Sequence, residues 1–294
     1  MLDEYELSRW ERNINFFGAY AGLANSKYLP QRKLADCRVT LLGLGGLGSH
    51  LLLDMAALGI GHIRIVEFDR VELSNLNRQI LYGEADVGQP KIERAERRVR
   101  QFTSHLDLET MNRRLSSTDD VLEAADGADI LISAADRPKN GIMGWVNEAI
   151  VRRNIPMITG GLDTRRCLLY SIVPGQTGCI ECWRQQVRSH DPVSDRLLEY
   201  RRTHQISGDK AAFVPLVAMS TALILGELVR LVTGLAPPLS AGRLMYARFD
   251  DFQIKVAETW ERLPDCTMCG SLAPRDLPAV ATVLRAGRAG TAAA

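Results

Sequence analysis

A cluster of glycines between a strand pattern and a helix pattern constrains this chain more than any other feature. Residues 43–48 read Gly-Leu-Gly-Gly-Leu-Gly; they follow an apolar strand pattern at 38–42 and open a helix pattern that runs to about Leu58. Glycines in this context allow a tight turn and a close backbone approach, and the helix N-terminus faces a phosphate. The four glycines of the pattern are Gly43, Gly45, Gly46 and Gly48. Glu67, at the end of the next strand, is placed to accept hydrogen bonds from ribose hydroxyls. These residues alone leave NAD binding, ATP binding and a purely structural turn open.

Strand and helix patterns alternate over the first 160 residues. Strands are predicted at 38–42, 63–68, 106–111, 130–134 and 157–159, with helices between most of them. This alternation predicts an α/β fold: a Rossmann-like, mostly parallel sheet with helices on both faces. After Gly161 the pattern predicts antiparallel C-terminal strands at 168–173, 243–249 and 252–257, with a long helix at 213–232. We therefore expect a helical arm over 1–36, one domain over 37–270 and a loose tail over 271–294.

Charge and hydropathy exclude several classes of function. The chain has 294 residues, and Lys and Arg total 36 against 35 for Asp and Glu, so a nucleic-acid-coating surface is not expected. The first six residues are acidic and lack the features of a secretory signal, which predicts a cytoplasmic protein. The uncharged stretch 211–226 is shorter than the roughly 20 residues that a bilayer requires, and Glu227 follows it at once. We interpret it as part of a buried core or dimer-interface helix, not a membrane span.

The six cysteines are unevenly placed along the chain. Four of them form two C-x-x-C pairs: Cys179, Cys182, Cys266 and Cys269. Together the pairs can complete a tetrahedral Cys₄ site for a structural Zn²⁺, which leaves no open position for substrate. A redox dithiol and two disulfides are the alternatives, but paired motifs in a reduced compartment favour zinc. Cys37 and Cys167 remain, and for both we favour a packing role.

A longer motif follows Glu67 and distinguishes between the nucleotide alternatives. Residues 69–79 match D-x-V-x-x-S-N-L-x-R-Q, and residues 87–91 match V-G-x-x-K. Both motifs, at this spacing, resemble those of the ThiF/MoeB/HesA family, the bacterial relatives of ubiquitin-activating enzymes. The resemblance extends from about Arg9 to Gly270, with 184–212 poorly matched. It implies an enzyme that binds ATP, not NAD, and adenylates a carboxyl terminus.

The resemblance also implies roles for individual side chains. Asn75, Arg78 and Lys91 are expected to contact the phosphates and ribose, with Lys91 at the α-phosphate. Asp136, after the predicted strand 130–134, matches the aspartate that binds Mg²⁺ in the family. These roles suit the chemistry, because a carboxylate that attacks the α-phosphorus is already ionised and requires charge neutralisation but no general base. The alternative interpretation of Arg78 and Lys91 is a surface charge, and that of Asp136 is a turn residue before Pro138.

Of the two acids at the start of this region, Glu67 and Asp69, one departs from the family. Glu67 stands where many members carry Asp, a change that keeps the carboxylate and lengthens its reach. Asp69 matches the second acid of the motif.

The N-terminal arm carries a further candidate. Residues 9–13, Arg-Trp-Glu-Arg-Asn, resemble the family motif R-Y-x-R-Q, whose second arginine reaches ATP from the other subunit. Arg12 is therefore a candidate catalytic residue supplied across a homodimer. Asn13 replaces the usual Gln, and a solvated surface arginine is the alternative.

Cysteine placement also bears on the fate of the acyl group. The family has the same Cys₄ arrangement, and members that pass their substrate onward place a cysteine in the crossover segment after the first C-x-x-C. The segment 183–215 has none. We therefore expect adenylation without transfer to a cysteine of this chain.

Three segments resemble the MccB-type, peptide-adenylating branch of the family: 133–138, 145–147 and 173–182. This implies that the acceptor is the C-terminus of a small ribosomal peptide. Only some 36 residues precede the first strand, so the N-terminal peptide-binding extension of that branch is expected to be missing or supplied by another protein. Activation of a ubiquitin-like sulfur-carrier protein and a non-catalytic partner-binding role are the alternatives. An NAD oxidoreductase has no support beyond the glycine loop.

Overall fold

The protein is described from a computed structural model over residues 2–21, 26–139, 141–163, 165–190 and 212–273. The helices of these ranges are α1 (Glu4–Arg9), α2 (Glu11–Ala21), α3 (Leu29–Asp36), α4 (Gly46–Leu58), α5 (Lys91–Phe102), α6 (Thr118–Ala124), α7 (Ile142–Arg153), α8 (Ile180–His190) and α9 (Val214–Thr233). The strands are β1 (Arg38–Leu42), β2 (His62–Glu67), β3 (Asp107–Asn112), β4 (Ile130–Ser133), β5 (Met157–Leu162), β6 (Arg166–Ile172), β7 (Arg243–Arg248) and β8 (Ile254–Thr259). Short 3₁₀ turns lie at Leu73–Asn75 and Glu84–Asp86.

One eight-stranded sheet organises the fold, in the order β3-β2-β1-β4-β5-β6-β7-β8. Strands β1 to β5 pair in parallel, and β6, β7 and β8 continue the sheet in antiparallel pairs. The predicted fold class, a mostly parallel Rossmann-like sheet with antiparallel C-terminal strands, is confirmed. Each strand begins within two residues of its predicted start. The tail from residue 274 onward, and most of the crossover segment, lie outside the described residues.

The order of the strands creates a crevice. Strands β1 and β4 are neighbours, but the chain leaves β1 toward β2 and leaves β4 toward β5 on the other side. In open α/β sheets, ligands bind at such a point, outside the carboxyl ends of the strands. Gly43 follows β1 and Ala134 follows β4. The topology therefore places the glycine cluster and the Asp136 loop at the same crevice.

The long apolar helix α9 belongs to the core. By length and composition alone it could cross a bilayer. It packs against α3, α4, β5 and β6, and Leu216, Val217, Ile224 and Leu228 on it are buried. The burial of this face is that of a core helix in an α/β fold.

The N-terminal arm clamps the carboxyl end of α4. Trp10 Nε1 donates a hydrogen bond to the Ala57 carbonyl at 3.0 Å, and Asn13 Nδ2 donates to the Leu58 carbonyl at 3.2 Å. Gln31 Nε2, on α3, donates to the same Leu58 carbonyl at 3.0 Å. These bonds satisfy carbonyls that have no partner within the helix. The helical arm predicted over 1–36 is split between α1 and α2 at Trp10, whose buried indole makes this contact.

A buried carboxylate joins α9 to the antiparallel half of the sheet. Glu227 is 1% exposed and accepts four hydrogen bonds, at 2.8–3.0 Å, from the Ser171 hydroxyl, the Leu239 N–H, and the N–H and hydroxyl of Ser240. Ser171 lies on β6, and Leu239 and Ser240 precede β7. Since a buried carboxylate is tolerated only when its oxygens are satisfied, these donors and Glu227 depend on one another.

We expect Glu227→Gln to lower the free energy of unfolding by about 2 kcal/mol, because the amide offers one acceptor oxygen in place of two and turns an NH₂ group toward donors. Urea unfolding followed by circular dichroism measures the change. The matched control is Glu93→Gln on α5, an exposed position where we expect a change within about 0.5 kcal/mol. Equal stability of the two variants would contradict the role given to Glu227.

Candidate active site

The glycine turn is built so that only glycine fits at its two ends. Gly43 has φ +88°, and its N–H donates to the Val66 carbonyl at 2.9 Å. A Cβ at Gly48 would lie 1.9 Å from the Gly43 carbonyl oxygen. Helix α4 begins at Gly46, and its N-cap residue Gly45 provides no side-chain cap. The first N–H groups of α4 are therefore available to an anion.

The carboxylate of Glu67 holds this turn through hydrogen bonds to backbone N–H groups. Glu67 is 7% exposed, and its carboxylate accepts hydrogen bonds from the N–H groups of Leu44 at 2.8 Å, Phe68 at 2.7 Å and Asp69 at 2.9 Å. The additional methylene of Glu, relative to the Asp of many family members, extends the carboxylate to Leu44. Its contact with a ribose stays a prediction, since both oxygens already accept backbone N–H groups.

A buried tyrosine holds the other side of Leu44. The Tyr82 hydroxyl donates to the Leu44 carbonyl at 3.0 Å. Burial, and then the nearby carboxylate of Glu67, raises the pKa of Tyr82. The hydroxyl therefore stays protonated at neutral pH and keeps donating to the Leu44 carbonyl.

Arg78 lies over the N-terminus of α4. Its Cδ atom would be 3.4 Å from a Cβ at Gly46, and its guanidinium donates to the Ser74 carbonyl and to Asn77 Oδ1. The Arg78 carbonyl is 3.1 Å from Nε2 of His50, on the second turn of α4. The guanidinium is thus held beside the helix terminus that faces the crevice.

Asn75 shapes the segment that carries Arg78. It is 7% exposed, and its Oδ1 accepts from the Glu72 N–H at 3.1 Å. Its carbonyl accepts from the N–H groups of Arg78 and Gln79. In the described structure Asn75 therefore acts on the backbone, and its predicted contact with ATP stays a prediction.

Lys91 and Asp69 form an ion pair beside the crevice. Lys91 Nζ is 3.6 Å from Asp69 Oδ2, and the Lys91 N–H donates to the Asp69 carbonyl at 2.9 Å. Lys91 is 5% exposed, whereas the Asp69 side chain is 53% exposed. Because Asp69 also donates its N–H to Glu67, the lysine is connected to the glycine turn through two acids.

Asp136 lies across the crevice from the glycine turn. A Cβ at Gly43 would be 3.1 Å from the Ala135 N atom, so the loop after β4 touches the turn after β1. Asp136 itself is exposed, and within the described ranges its carboxylate has no ion pair or hydrogen bond. A free carboxylate in this position fits Mg²⁺, which prefers oxygen ligands.

Of the residues predicted to contact ATP, Arg12 is the one that its own chain does not bring to this crevice. It is exposed on α2, next to Asn13, which contacts the last residue of α4. Helix α4 has 13 residues, so its two ends are about 20 Å apart. Within one chain, Arg12 lies beside the end of α4 that faces away from the glycine turn.

The four paired cysteines meet in one buried cluster. Their Sγ atoms all lie within 4.8 Å of one another, with Cys179 3.8 Å from Cys266 and Cys182 3.4 Å from Cys269. Two ligands from each C-x-x-C and mutual distances of this size suit a tetrahedral Zn²⁺. The donor set and geometry therefore fit the predicted metal.

The surroundings of Cys182 favour its thiolate, the form that a metal requires, whereas the pKa values of Cys179 and Cys269 are raised. The hydrogen bond from the Cys179 thiol, supported by the Leu263 N–H, outweighs burial and lowers the pKa of Cys182 to about 5. Burial raises the pKa of Cys269 to about 11. Arg262 donates to the carbonyls of Gly175, Cys269, Gly270 and Leu272, which fixes the loop around the second pair.

The two remaining cysteines are buried away from the cluster. Cys167 is 0% exposed, its Sγ is 3.7 Å from the Ala247 carbonyl, and burial raises its pKa. Cys37 is 5% exposed at the end of α3. Both positions agree with packing.

Two side chains beside the crevice were not assigned from sequence. His50 follows the glycine turn, and Gln79 ends the S-N-L-x-R-Q motif. Gln79 offered a signal, because it closes a motif in which Asn75 and Arg78 received roles. His50 offered none, since its contact is with a backbone carbonyl 28 positions away.

Comparisons with known proteins agree with this geometry. The ThiF family model matches residues 11–268. Adenylyltransferase and sulfurtransferase MOCS3-1 of Zea mays is 30% identical over 243 residues, which are 82% of this chain and 48% of that protein. The sulfur carrier protein ThiS adenylyltransferase of Escherichia coli K12 is 28% identical over 242 residues, 82% of this chain and 88% of that protein. The chain spans about half the length of the first curated relatives it matches.

Solved structures show a similar fold. The crystal structure of E. coli MccB with ATP resembles this chain with a TM-score of 0.76 and a sequence identity of 29%. The match covers 92% of this chain and 76% of that chain. MccB with MccA gives the same TM-score and identity, covering 90% and 74%.

We expect the purified protein to contain one zinc per chain, and Cys266→Ala to lose the metal and lower the thermal midpoint, because three ligands and a void replace a closed site. Elemental analysis and calorimetry measure both. Cys167→Ala, a buried cysteine outside the cluster, is the control and should keep its zinc. Zinc-free wild-type protein, or full zinc in Cys266→Ala, would overturn the Cys₄ site.

Proposed function

Because the chain belongs to the ThiF family, we propose that it is an ATP-dependent adenylyltransferase that forms an acyl-adenylate and releases pyrophosphate. The observation that carries the proposal is the meeting of Arg78, the Lys91–Asp69 pair and the Asp136 loop around the uncapped N-terminus of α4. Cations, backbone N–H groups and a free carboxylate are the groups that a magnesium triphosphate requires.

In the proposed reaction an oxygen of the acceptor carboxylate attacks the α-phosphorus of ATP. The bond from this phosphorus to the bridging oxygen of the β-phosphate breaks, and pyrophosphate leaves with that electron pair. The carboxylate is ionised at neutral pH, so the chain needs no general base. Lys91 and Arg78 offset the charge that develops on the phosphate oxygens, and the N-terminus of α4 orients them.

Two metals belong to the proposal. Asp136 would hold Mg²⁺, which neutralises phosphate charge when bound. The four clustered cysteines would hold a structural Zn²⁺, in a cytoplasmic protein whose thiols remain reduced.

For the acceptor, we favour the C-terminus of a small ribosomal peptide. The similarity to MccB extends over 92% of this chain, and MccB has been crystallised with MccA. Two segments resemble the same branch: 133–138, which carries Asp136 at the crevice, and 173–182, which contains the first C-x-x-C pair. The alternative acceptor is a ubiquitin-like sulfur-carrier protein, favoured by the similarity to the E. coli ThiS adenylyltransferase over 88% of that protein.

A homodimer completes the proposed site. Helices α2, α4 and α9 border an open groove of about 350 Å³, lined by Leu58, Leu225 and Val229 among others. Phe16 and Tyr20, on α2, are 54% and 56% exposed. A second copy that covers this apolar surface would bring its own Arg12 to the site, which the Arg12 of the same chain does not approach.

We expect Lys91→Ala and Asp136→Asn each to lower ATP–pyrophosphate exchange by about 100-fold, because each removes charge stabilisation of the phosphates. Exchange is measured with short peptides and, separately, with a small protein that ends in Gly-Gly; exchange with only one acceptor class identifies the substrate. Lys255→Ala and Asp119→Asn, at exposed positions on β8 and α6, are the matched controls. Full exchange in both site variants would exclude adenylation at this crevice.

Arg12 is tested by complementation. We expect Arg12→Ala and Lys91→Ala to be inactive alone, and an equal mixture, allowed to exchange subunits, to recover about a quarter of wild-type exchange. Half of the mixed population is the heterodimer, in which one site combines an intact Lys91 with the partner's intact Arg12. No recovery would mean that Arg12 acts within its own chain, and an active Arg12→Ala would remove its role.

A further inference from the structure

Gln79 is a buried polar side chain that the proposed chemistry does not use. It is 3% exposed and follows Arg78, and its N–H donates to the Asn75 carbonyl at 2.9 Å. The backbone of Gln79 is therefore held in place, and only the role of its side chain is unexplained.

Among the residues that the structure describes, none is a partner of the Gln79 side-chain amide. Its Oε1 is buried without a hydrogen bond, and across the described ranges no residue bonds to its Nε2. Buried polar groups are almost always satisfied, so one that is not requires an explanation. Gln79 thus keeps an unpaired carbonyl inside the protein.

The nitrogen end of this amide is directed at the N-terminus of α4. Nε2 lies 3.9 Å from the position that a Cβ at Gly45 would occupy. Gly45 is the N-cap of α4 and offers no side-chain acceptor, so the amide NH₂ and the first helix N–H groups border the same space. Two sets of hydrogen-bond donors that border one space fit an anion.

We propose that Gln79 is a phosphate-binding residue, whose Nε2 donates a hydrogen bond to a phosphate oxygen of the nucleotide at the N-terminus of α4. This inference rests on the proposed function, which makes that nucleotide ATP. Arg78 over Gly46 supplies charge, and Gln79 over Gly45 supplies a neutral donor. A neutral donor positions the phosphate without adding positive charge, which would hold the pyrophosphate product more tightly.

Gln79→Met separates this role from packing, because Met has a similar shape and removes the unpaired carbonyl. We expect it to raise the Kd for ATP about tenfold and leave the Kd for adenosine unchanged, as adenosine has no phosphate. The midpoint of urea unfolding without nucleotide should be unchanged or higher. Gln79→Glu, which places a negative charge beside the phosphates, should raise the Kd for ATP further.

Gln31→Met is the matched control at the other end of α4. Gln31 is also a buried glutamine with an unpaired Oε1, but its Nε2 donates to the Leu58 carbonyl. It should lose stability and keep the ATP affinity of the wild type. An unchanged Kd for ATP in Gln79→Met, or an equal loss for adenosine and ATP, would overturn the inference alone. A wild-type protein that binds no ATP would overturn the proposed function and this inference together.

Discussion

The close approach between Gly43 and Gly48 is the contact on which the rest of the site depends. Because a Cβ at position 48 would lie 1.9 Å from the Gly43 carbonyl, the turn from β1 into α4 can close only with glycine there. A turn rich in glycine has little stiffness of its own. It is held instead by Leu44, whose N–H is bonded to Glu67 and whose carbonyl is bonded to Tyr82. The side chains that support the turn therefore come from the segments that follow β2, the same segments that carry Arg78 and Lys91.

Helix α4 connects two surfaces with opposite requirements. Its first N–H groups face the crevice without a cap, whereas its last carbonyls are bonded by Trp10, Asn13 and Gln31. The positive end of the helix dipole is thus left for a ligand, and the negative end is satisfied within the protein. The same bonds that cap the helix also fix the N-terminal arm. The position of Arg12 is consequently set by the end of α4 that lies away from its own crevice.

The fold could be predicted because it rests on local signals, and the site could be predicted only in part. The spacing of apolar residues and the positions of glycine and proline locate β1 to β5. The two C-x-x-C pairs predict a cysteine cluster, whose Sγ atoms the structure places within 4.8 Å of one another. The motif 69–79 identifies Arg78, but not the fact that Lys91 pairs with Asp69 or that Glu67 bonds to Leu44. These contacts join segments that are distant in sequence, and a linear pattern carries no record of which polar atoms remain unpaired. Gln79 and Glu227 are a pair of buried polar residues with opposite outcomes, one unsatisfied and one with four donors, and only the packed structure distinguishes them.

A metal bound by the cysteine cluster would stabilise more than the strands around it. Cys179 and Cys266 are separated by 87 positions, and the chain between them includes α9, β7 and β8. In the loop-entropy description, a cross-link across a loop of this length raises the free energy of the unfolded chain by about 4.6 kcal/mol, and the description applies to metal clips as to disulfides. Helix α9 lies inside that loop and packs on α4 and β5, so the constraint reaches the parallel half of the sheet. Metal bound at the cluster would thereby stabilise the packing of α9 on α4 and β5 as well as the loop that carries the second C-x-x-C pair.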